Sequence, residues 1–313
     1  MGYLVALGSQ WILAVPPFVL SFVLPESPAY LVRKGNISAA TKSLTRLFGP
    51  KNDPEKLLHK LQTSIEDEEK NASKISYAEC FNSHNRRRTW IVIYANQLPN
   101  FFGLPLLSSV SYFLQQVGMK PSHSVIFLIG GIVLGLLSNA ASTWTLSNIG
   151  RRKLTITTLL IAGGIWLAMG MIGIKRSAIT PWLTAACSTL VVVTCGLGAW
   201  PASYTIMSES SSLRLRAKSQ AIGGISNYIS TVAVNFALPY VYNPDAANLG
   251  AKTGFVFAAL CAGGAVLMWW LVPEMRGRSV VEIDRLFEQG VGARGSSRWK
   301  DRSGEVVLEE VRV

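Results

Sequence analysis

Apolar residues crowd into seven stretches of this chain, at 3–24, 90–115, 124–146, 154–174, 181–206, 219–241 and 253–272, with polar segments between them. Each is about the 20 residues long that a helix needs to cross a hydrocarbon core. Lipid offers no partner to backbone N–H and C=O groups, so each stretch has to bond internally as an α-helix. The pattern therefore predicts an all-α integral membrane protein with seven spans. Gly and Pro inside the stretches, such as Gly103, Pro105, Gly198, Pro201 and Gly223, mark bends or close helix approaches.

The long polar segment 25–89 has its own periodicity. Ile37, Ala40, Leu44 and Leu47 recur at helical spacing after Asn36, a capping residue, and Gly49 stops the run. Leu57, Leu58, Leu61 and Ile65 repeat the pattern after Asp53-Pro54. Both read as short amphipathic helices on the inner membrane face. The acidic run Glu66-Asp67-Glu68-Glu69 reads as a solvated face or linker, and the polar chain past Glu288 as disordered.

Charge then orients the spans. Of the 30 Lys and Arg residues, 26 lie in segments 25–89, 147–153, 207–218 and 273–313, and four in 116–123, 175–180 and 242–252. This alternation places the first group in the cytoplasm, with Met1 outside and Val313 inside. The net charge of +12 is thereby explained by membrane orientation, not by nucleic acid. The stretch 3–24 lacks a charged start and a cleavage pattern and contains Pro16-Pro17, so it reads as a span, not a signal peptide.

Candidate enzyme chemistry is absent from the sequence. There is no catalytic triad, metal cluster or phosphate loop, and the three histidines (His59, His84, His123) fall in expected loops. Cys80, Cys187, Cys195 and Cys261 lack the spacing of a zinc site or disulfide framework, and the last three sit in apolar stretches as small packing residues. No cofactor is expected.

The first and last stretches end alike, in Leu24-Pro25-Glu26-Ser27 and Val272-Pro273-Glu274-Met275, each followed by basic residues. Transporters are commonly built from two similar halves whose corresponding ends look alike. The seventh span would then be the equivalent of the first, and spans two to seven a six-helix unit.

Several motifs in order carry a family resemblance. Pro25-Glu26-Ser27-Pro28 with Arg33-Lys34-Gly35, then Gly150-Arg151-Arg152-Lys153, then Pro273-Glu274-Met275-Arg276-Gly277-Arg278-Ser279 with Glu282-Ile283-Asp284, resemble those of major facilitator superfamily sugar porters. The stretch Ser211–Lys218, with Tyr242-Asn243-Pro244-Asp245 and Leu249–Phe255, is similar to the fungal maltose/α-glucoside permeases. The resemblance implies a major facilitator type helical bundle with a central sugar site, alternating access and proton symport. This chain would be helices six to twelve: 1–24 the last helix of an N-terminal bundle, 25–89 a cytoplasmic central loop, 90–272 the C-terminal six-helix bundle and 273–313 a cytoplasmic tail. The expected partners are a small sugar, protons and the lipid bilayer, at the plasma membrane. Such a chain looks truncated and is expected to be inactive alone.

Sugar recognition needs amides and hydroxyls facing a cavity, with aromatic faces against the ring. Asn96, Gln97 and Asn100 enter the second stretch as a polar cluster. By the resemblance this helix carries a Gln-rich sugar-contacting motif. Gln97 either contacts sugar or bonds helix to helix. Aligned on Glu209, Tyr204 falls where hexose transporters place a sugar-stacking tryptophan; an interfacial aromatic is the competing role. Asn227 matches the polar position of helix eleven, and Asn235, two turns on, would face similarly. Asn139 reads as packing. At the inner ends, Glu26, Glu209 and Glu274 stand beside Arg151, Arg152, Arg214, Arg216 and Arg278, and the resemblance implies a cytoplasmic gate of cross-helix ion pairs. Of the 18 Asp and Glu residues none lies well inside an apolar stretch, which leaves these spans without an evident proton carrier. Two other readings fit seven spans: a seven-helix membrane receptor, and a non-transporting regulatory fragment.

Overall fold

The computed structural model describes residues 2–49, 53–72, 76–83, 85–175, 177–212, 214–278, 280–296 and 299. His84, Leu213, Ser279 and the chain ends Met1 and Val313 lie outside the described residues. Among those described, all regular structure is helical. The chain divides into two compact units, residues 1–75 and 76–313.

In the first unit, α1 (Gly2–Val23) covers the first apolar stretch and runs through Pro16 and Pro17. It is followed by α2 (Pro28–Arg33), α3 (Ile37–Phe48) and α4 (Pro54–Ala72). The Asn36 side chain caps α3 by accepting the Ala39 N–H at 3.1 Å, and Gly49 closes it at φ +73°. Ala40, Leu44 and Ile65 are buried, whereas Ile37 and Leu47 at the two ends of the first run are exposed. Arg46 donates to the Val23 carbonyl at 2.9 Å, satisfying a group that the end of α1 leaves without a helical partner. The acidic run 66–69 lies inside α4, with Glu66 exposed, and so is helical rather than a linker. His59 also sits in α4 rather than in a loop.

In the second unit the stretch 90–115 departs from a single span. It forms α5 (Arg86–Phe101), α6 (Leu104–Ser108) and α7 (Val110–Gln116). Pro99 removes a helical donor near the end of α5, and Gly103 takes φ +89°, where a side chain would be strained and its Cβ would lie 2.9 Å from the Phe257 ring. The carbonyl of Phe102, released by the break, accepts the Trp166 indole N–H at 3.1 Å.

The next helices are α8 (Pro121–Asn148) and α9 (Arg151–Ile172). His123 lies in the first turn of α8, not in a loop, with its ring centroid 5.1 Å from that of Trp182. The stretch 181–206 is also interrupted, at Gly198, into α10 (Thr180–Leu197) and α11 (Ala199–Ser210). There the Thr145 hydroxyl takes up the Leu197 carbonyl at 2.7 Å. The unit ends with α12 (Arg216–Tyr242), α13 (Thr253–Leu271) and α14 (Val280–Glu288).

Five described segments are long and apolar enough to cross a membrane: 121–148, 151–172, 180–210, 216–242 and 250–271. The core lies among α5, α9, α11 and α13, around Leu98, Leu159, Trp166, Ile206, Phe257 and Met268. Helices α9 and α13 touch through small residues, because a Cβ on Gly254 would overlap the Trp166 carbonyl and one on Gly163 would meet Cys261 at 3.2 Å. Cys261 is a fully buried thiol in this seam, and Cys195 of α10 is fully buried too. Helices α8 and α12 instead expose apolar side chains, among them Ile126, Leu136, Ile229 and Phe236, as a hydrocarbon solvent permits.

Candidate functional site

A cavity of about 400 Å³ opens between α5, α6, α11 and α12. Its polar lining is Asn96, Asn100, Ser108, Ser203, Asn227, Thr231 and Asn235, with the rings of Tyr204 and Tyr228 beside them, and no charged residue lines it. The helical repeat explains the set on α12: Asn227, Thr231 and Asn235 are spaced by four and share one face. Helix α5 comes close enough to meet that face because position 223 is glycine; a Cβ there would overlap the Asn96 amide.

The amides are held in one network. The Asn227 amide donates to the Asn96 carbonyl. Thr231 Oγ1 donates to Asn100 Oδ1 at 3.2 Å and lies 3.5 Å from Asn227 Oδ1. Asn100 donates to Gln97 Oε1 at 2.9 Å, and Gln97 Nε2 to Ser226 Oγ at 2.9 Å. The network ties the amides together and leaves the Asn227 amide with one N–H outside it. Asn100, Tyr204, Asn227 and Asn235 thus come together in one lining. Gln97 stands behind it, bonding α5 to α12. Tyr204 is 57% exposed, with its hydroxyl 3.5 Å from the Trp200 indole nitrogen. Asn139 lines a different, apolar cavity. Sequence reasoning passed over Thr231 and Tyr228; the spacing of four from Asn227 to Thr231 is the signal that would have found the threonine.

The second constellation lies at the ends of the helices that carry the basic residues. Arg151, at the start of α9, donates to Glu209 Oε1 near the end of α11 at 2.9 Å, with both side chains mostly buried. Arg214 pairs instead with Glu79, at 3.3 Å and more exposed. Arg88 pairs with Asp284 of α14 and lies over the Phe287 ring, with its centroid 4.6 Å away. Sequence reasoning missed that pair, since its members are 196 residues apart. The Glu274 carboxylate packs on Gly150 and accepts the Met275 and Arg276 N–H groups, each at 3.2 Å. The Arg216 Nε is buried with no hydrogen-bond partner among the described residues. Glu26 belongs to the first unit, where its carbonyl accepts the Ser43 hydroxyl at 2.5 Å.

Past Glu288 the described residues, 289–296 and Trp299, are packed rather than the disordered chain expected from composition. Arg152 donates to the Ala293 carbonyl at 3.0 Å, and Arg278 to the carbonyls of Ser296 and of Trp299, the latter at 3.2 Å. Arg294 lies 3.9 Å over the Trp269 ring, and Ser296 is fully buried. Polar composition failed as a guide because the arginines bond to backbone carbonyls, which every residue has. Burial lowers the Arg278 pKa, against the opposing effect of the Glu274 and Glu282 carboxylates.

The sequence matches the family described as sugar (and other) transporter over residues 1–287. The chain belongs to that family. Its relatives include the MFS transporter fmqE of Aspergillus fumigatus, 34% identical over 94% of this chain and 55% of that protein. Maltose permease MAL61 of Saccharomyces cerevisiae is 31% identical over 94% of this chain and 49% of that protein. The alpha-glucosides permease MPH3 of the same species is 30% identical over 94% and 50%. The chain thus spans about half the length of these relatives. Its fold is similar to that of the E. coli xylose transporter XylE in a partially occluded inward open conformation, with TM-score 0.66 and 16% identity over 87% of this chain and 55% of that one. XylE bound to 6-bromo-6-deoxy-D-glucose gives TM-score 0.62 and 17% identity over 89% and 58%. At such identities the likeness shows the fold alone, that of the major facilitator bundle. The family is one of integral membrane transporters, not enzymes.

Proposed function

We propose that this chain forms the sugar-binding wall of a transporter for maltose or another α-glucoside. The observation that carries the reading is the uncharged cavity of amides, hydroxyls and tyrosine rings between α5, α11 and α12. Such a lining exchanges hydrogen bonds with sugar hydroxyls and gives no counter-charge to an ionic ligand. The permease relatives are consistent with it. In this reading Asn100, Asn227 and Asn235 bond the sugar, Tyr204 stacks on it, and Gln97 positions Asn100.

The Arg151–Glu209 pair would be the centre of a cytoplasmic gate that forms and breaks as access alternates, with Arg152, Glu274 and Arg278 around it. The bias of basic residues supports a cytoplasmic position for that end, and the plasma membrane is part of the proposal by likeness to the permease relatives. Proton coupling is part of the proposal by likeness to the proton:xylose symporter. Because no carboxylate lines the cavity, the coupling proton would be carried elsewhere.

Equilibrium binding of radiolabelled maltose to the purified chain in lipid nanodiscs tests the reading. Saturable binding, displaced by unlabelled α-glucosides and not by an anionic sugar such as gluconate, is expected. Absence of saturable binding, or equal displacement by gluconate, would refute it.

A further inference from the structure

The geometry points to an amphipathic ligand: a neutral sugar in the polar cavity, carrying an apolar substituent that enters the apolar cavity next to it. This rests on the sugar reading above and extends it to the chemical class of ligand.

The second cavity has a volume of about 420 Å³ and lies between α6, α8, α10 and α11. It is continuous in its walls with the first, because Leu104 and Ser108 of α6 line both. The aromatic residues of α11 span the same junction. Trp200 lines the apolar cavity and Tyr204, one turn on, lines the polar one. Their indole N–H and phenol oxygen are 3.5 Å apart, so the pair forms a rail from one chamber to the other.

The hydroxyls around the second cavity are already committed to their own helices. Ser108 donates to the Pro105 carbonyl at 2.8 Å, Ser188 to that of Thr184 at 2.9 Å and Thr189 to that of Ala185 at 3.0 Å. What remains facing the space is mostly hydrocarbon from Leu107, Phe127, Ile132 and Val192. A sugar ring placed there would lose water and find few partners beyond the Asn139 amide and the Trp200 indole. An aryl or alkyl group gains by leaving water, and a cavity of about 150 Å³ is already enough for benzene. The competing occupant is a lipid acyl chain, which has no need of the polar chamber.

The test compares methyl α-D-glucopyranoside with benzyl α-D-glucopyranoside, by calorimetric titration of the full chain in nanodiscs. The benzyl glycoside is expected to bind at least about tenfold more tightly. Gly131 lines the apolar cavity and a Cβ there meets nothing within 4 Å, so Gly131→Phe fills the space without a clash at the backbone. Gly131→Phe should abolish the benzyl advantage and leave methyl glucoside affinity within about twofold. Thr189→Phe repeats the test from the opposite wall, and retained methyl glucoside binding certifies that either variant is folded. Equal affinity of the two glycosides for the unaltered chain overturns the proposal, as does a benzyl advantage that survives both substitutions. Either result leaves the sugar reading standing. If neither glycoside binds, the sugar reading fails and this proposal with it.

Discussion

Thr231 Oγ1 donates to Asn100 Oδ1 at 3.2 Å, joining α12 to α5 in the wall of the polar cavity. One side chain thereby sets the orientation of the Asn100 amide, while Gln97 holds its other end at 2.9 Å. Gln97 stands behind the lining while Thr231 is part of it, so on the proposed reading Gln97 acts through Asn100. Gln97→Ala should therefore weaken maltose binding about three- to tenfold, and Asn227→Ala, which removes the tie to Asn96 and the proposed ligand bond, about ten- to a hundredfold. Titration of maltose into each variant reads the difference. A larger loss for Gln97→Ala than for Asn227→Ala would reverse the assigned roles.

The Arg151–Glu209 pair is partly shielded from water, whereas Arg214–Glu79 is open to it. A double-mutant cycle on thermal unfolding should give a coupling of about 1–3 kcal/mol for the first and no more than about 1 kcal/mol for the second. Equal couplings would remove the case for a built gate at Arg151.

Gly103 is required by both its φ of +89° and the rings of Phe257 and Trp166. Gly103→Ala should cost about 1–3 kcal/mol of stability. Gly164→Ala, within α9 where a Cβ meets nothing, should be neutral or stabilise by up to about 1 kcal/mol. Melting curves of the two variants make the comparison, and matching shifts would mean that the break between α5 and α6 is not under this constraint.

Lys120 precedes α8 and Lys153 lies in the first turn of α9, and both are exposed. With the native cysteines replaced, Lys120→Cys should react with an impermeant maleimide added outside intact cells, and Lys153→Cys only after permeabilisation. Reaction of both from one side would overturn the orientation read from charge.

Hydrophobic length and the distribution of Lys and Arg made the helical membrane fold legible, and Asn36 with Gly49 marked the limits of α3. The interruptions were less visible. Pro99, Gly103 and Pro105 announced a bend in 90–115, but whether a helix bends or breaks depends on partners such as Trp166, which rescues the Phe102 carbonyl from 64 residues away. In the site, Asn100, Asn227 and Asn235 stood out because amides are costly among apolar neighbours. Thr231 did not, since a threonine in a span ordinarily bonds to its own helix. The packing of 289–296 was hidden for a different reason, because its carbonyls are recognised by arginines that the sequence presents only as positive charge.

The central claim is that a sugar lies against α12 in the polar cavity. Asn235→Cys places a thiol in that lining, and its rate of modification by a small methanethiosulfonate reagent, with and without maltose, tests the claim most directly. Maltose should slow the reaction at least about fivefold while leaving a cysteine at Lys120 unaffected. Identical rates at Asn235→Cys with and without saturating maltose would contradict the account.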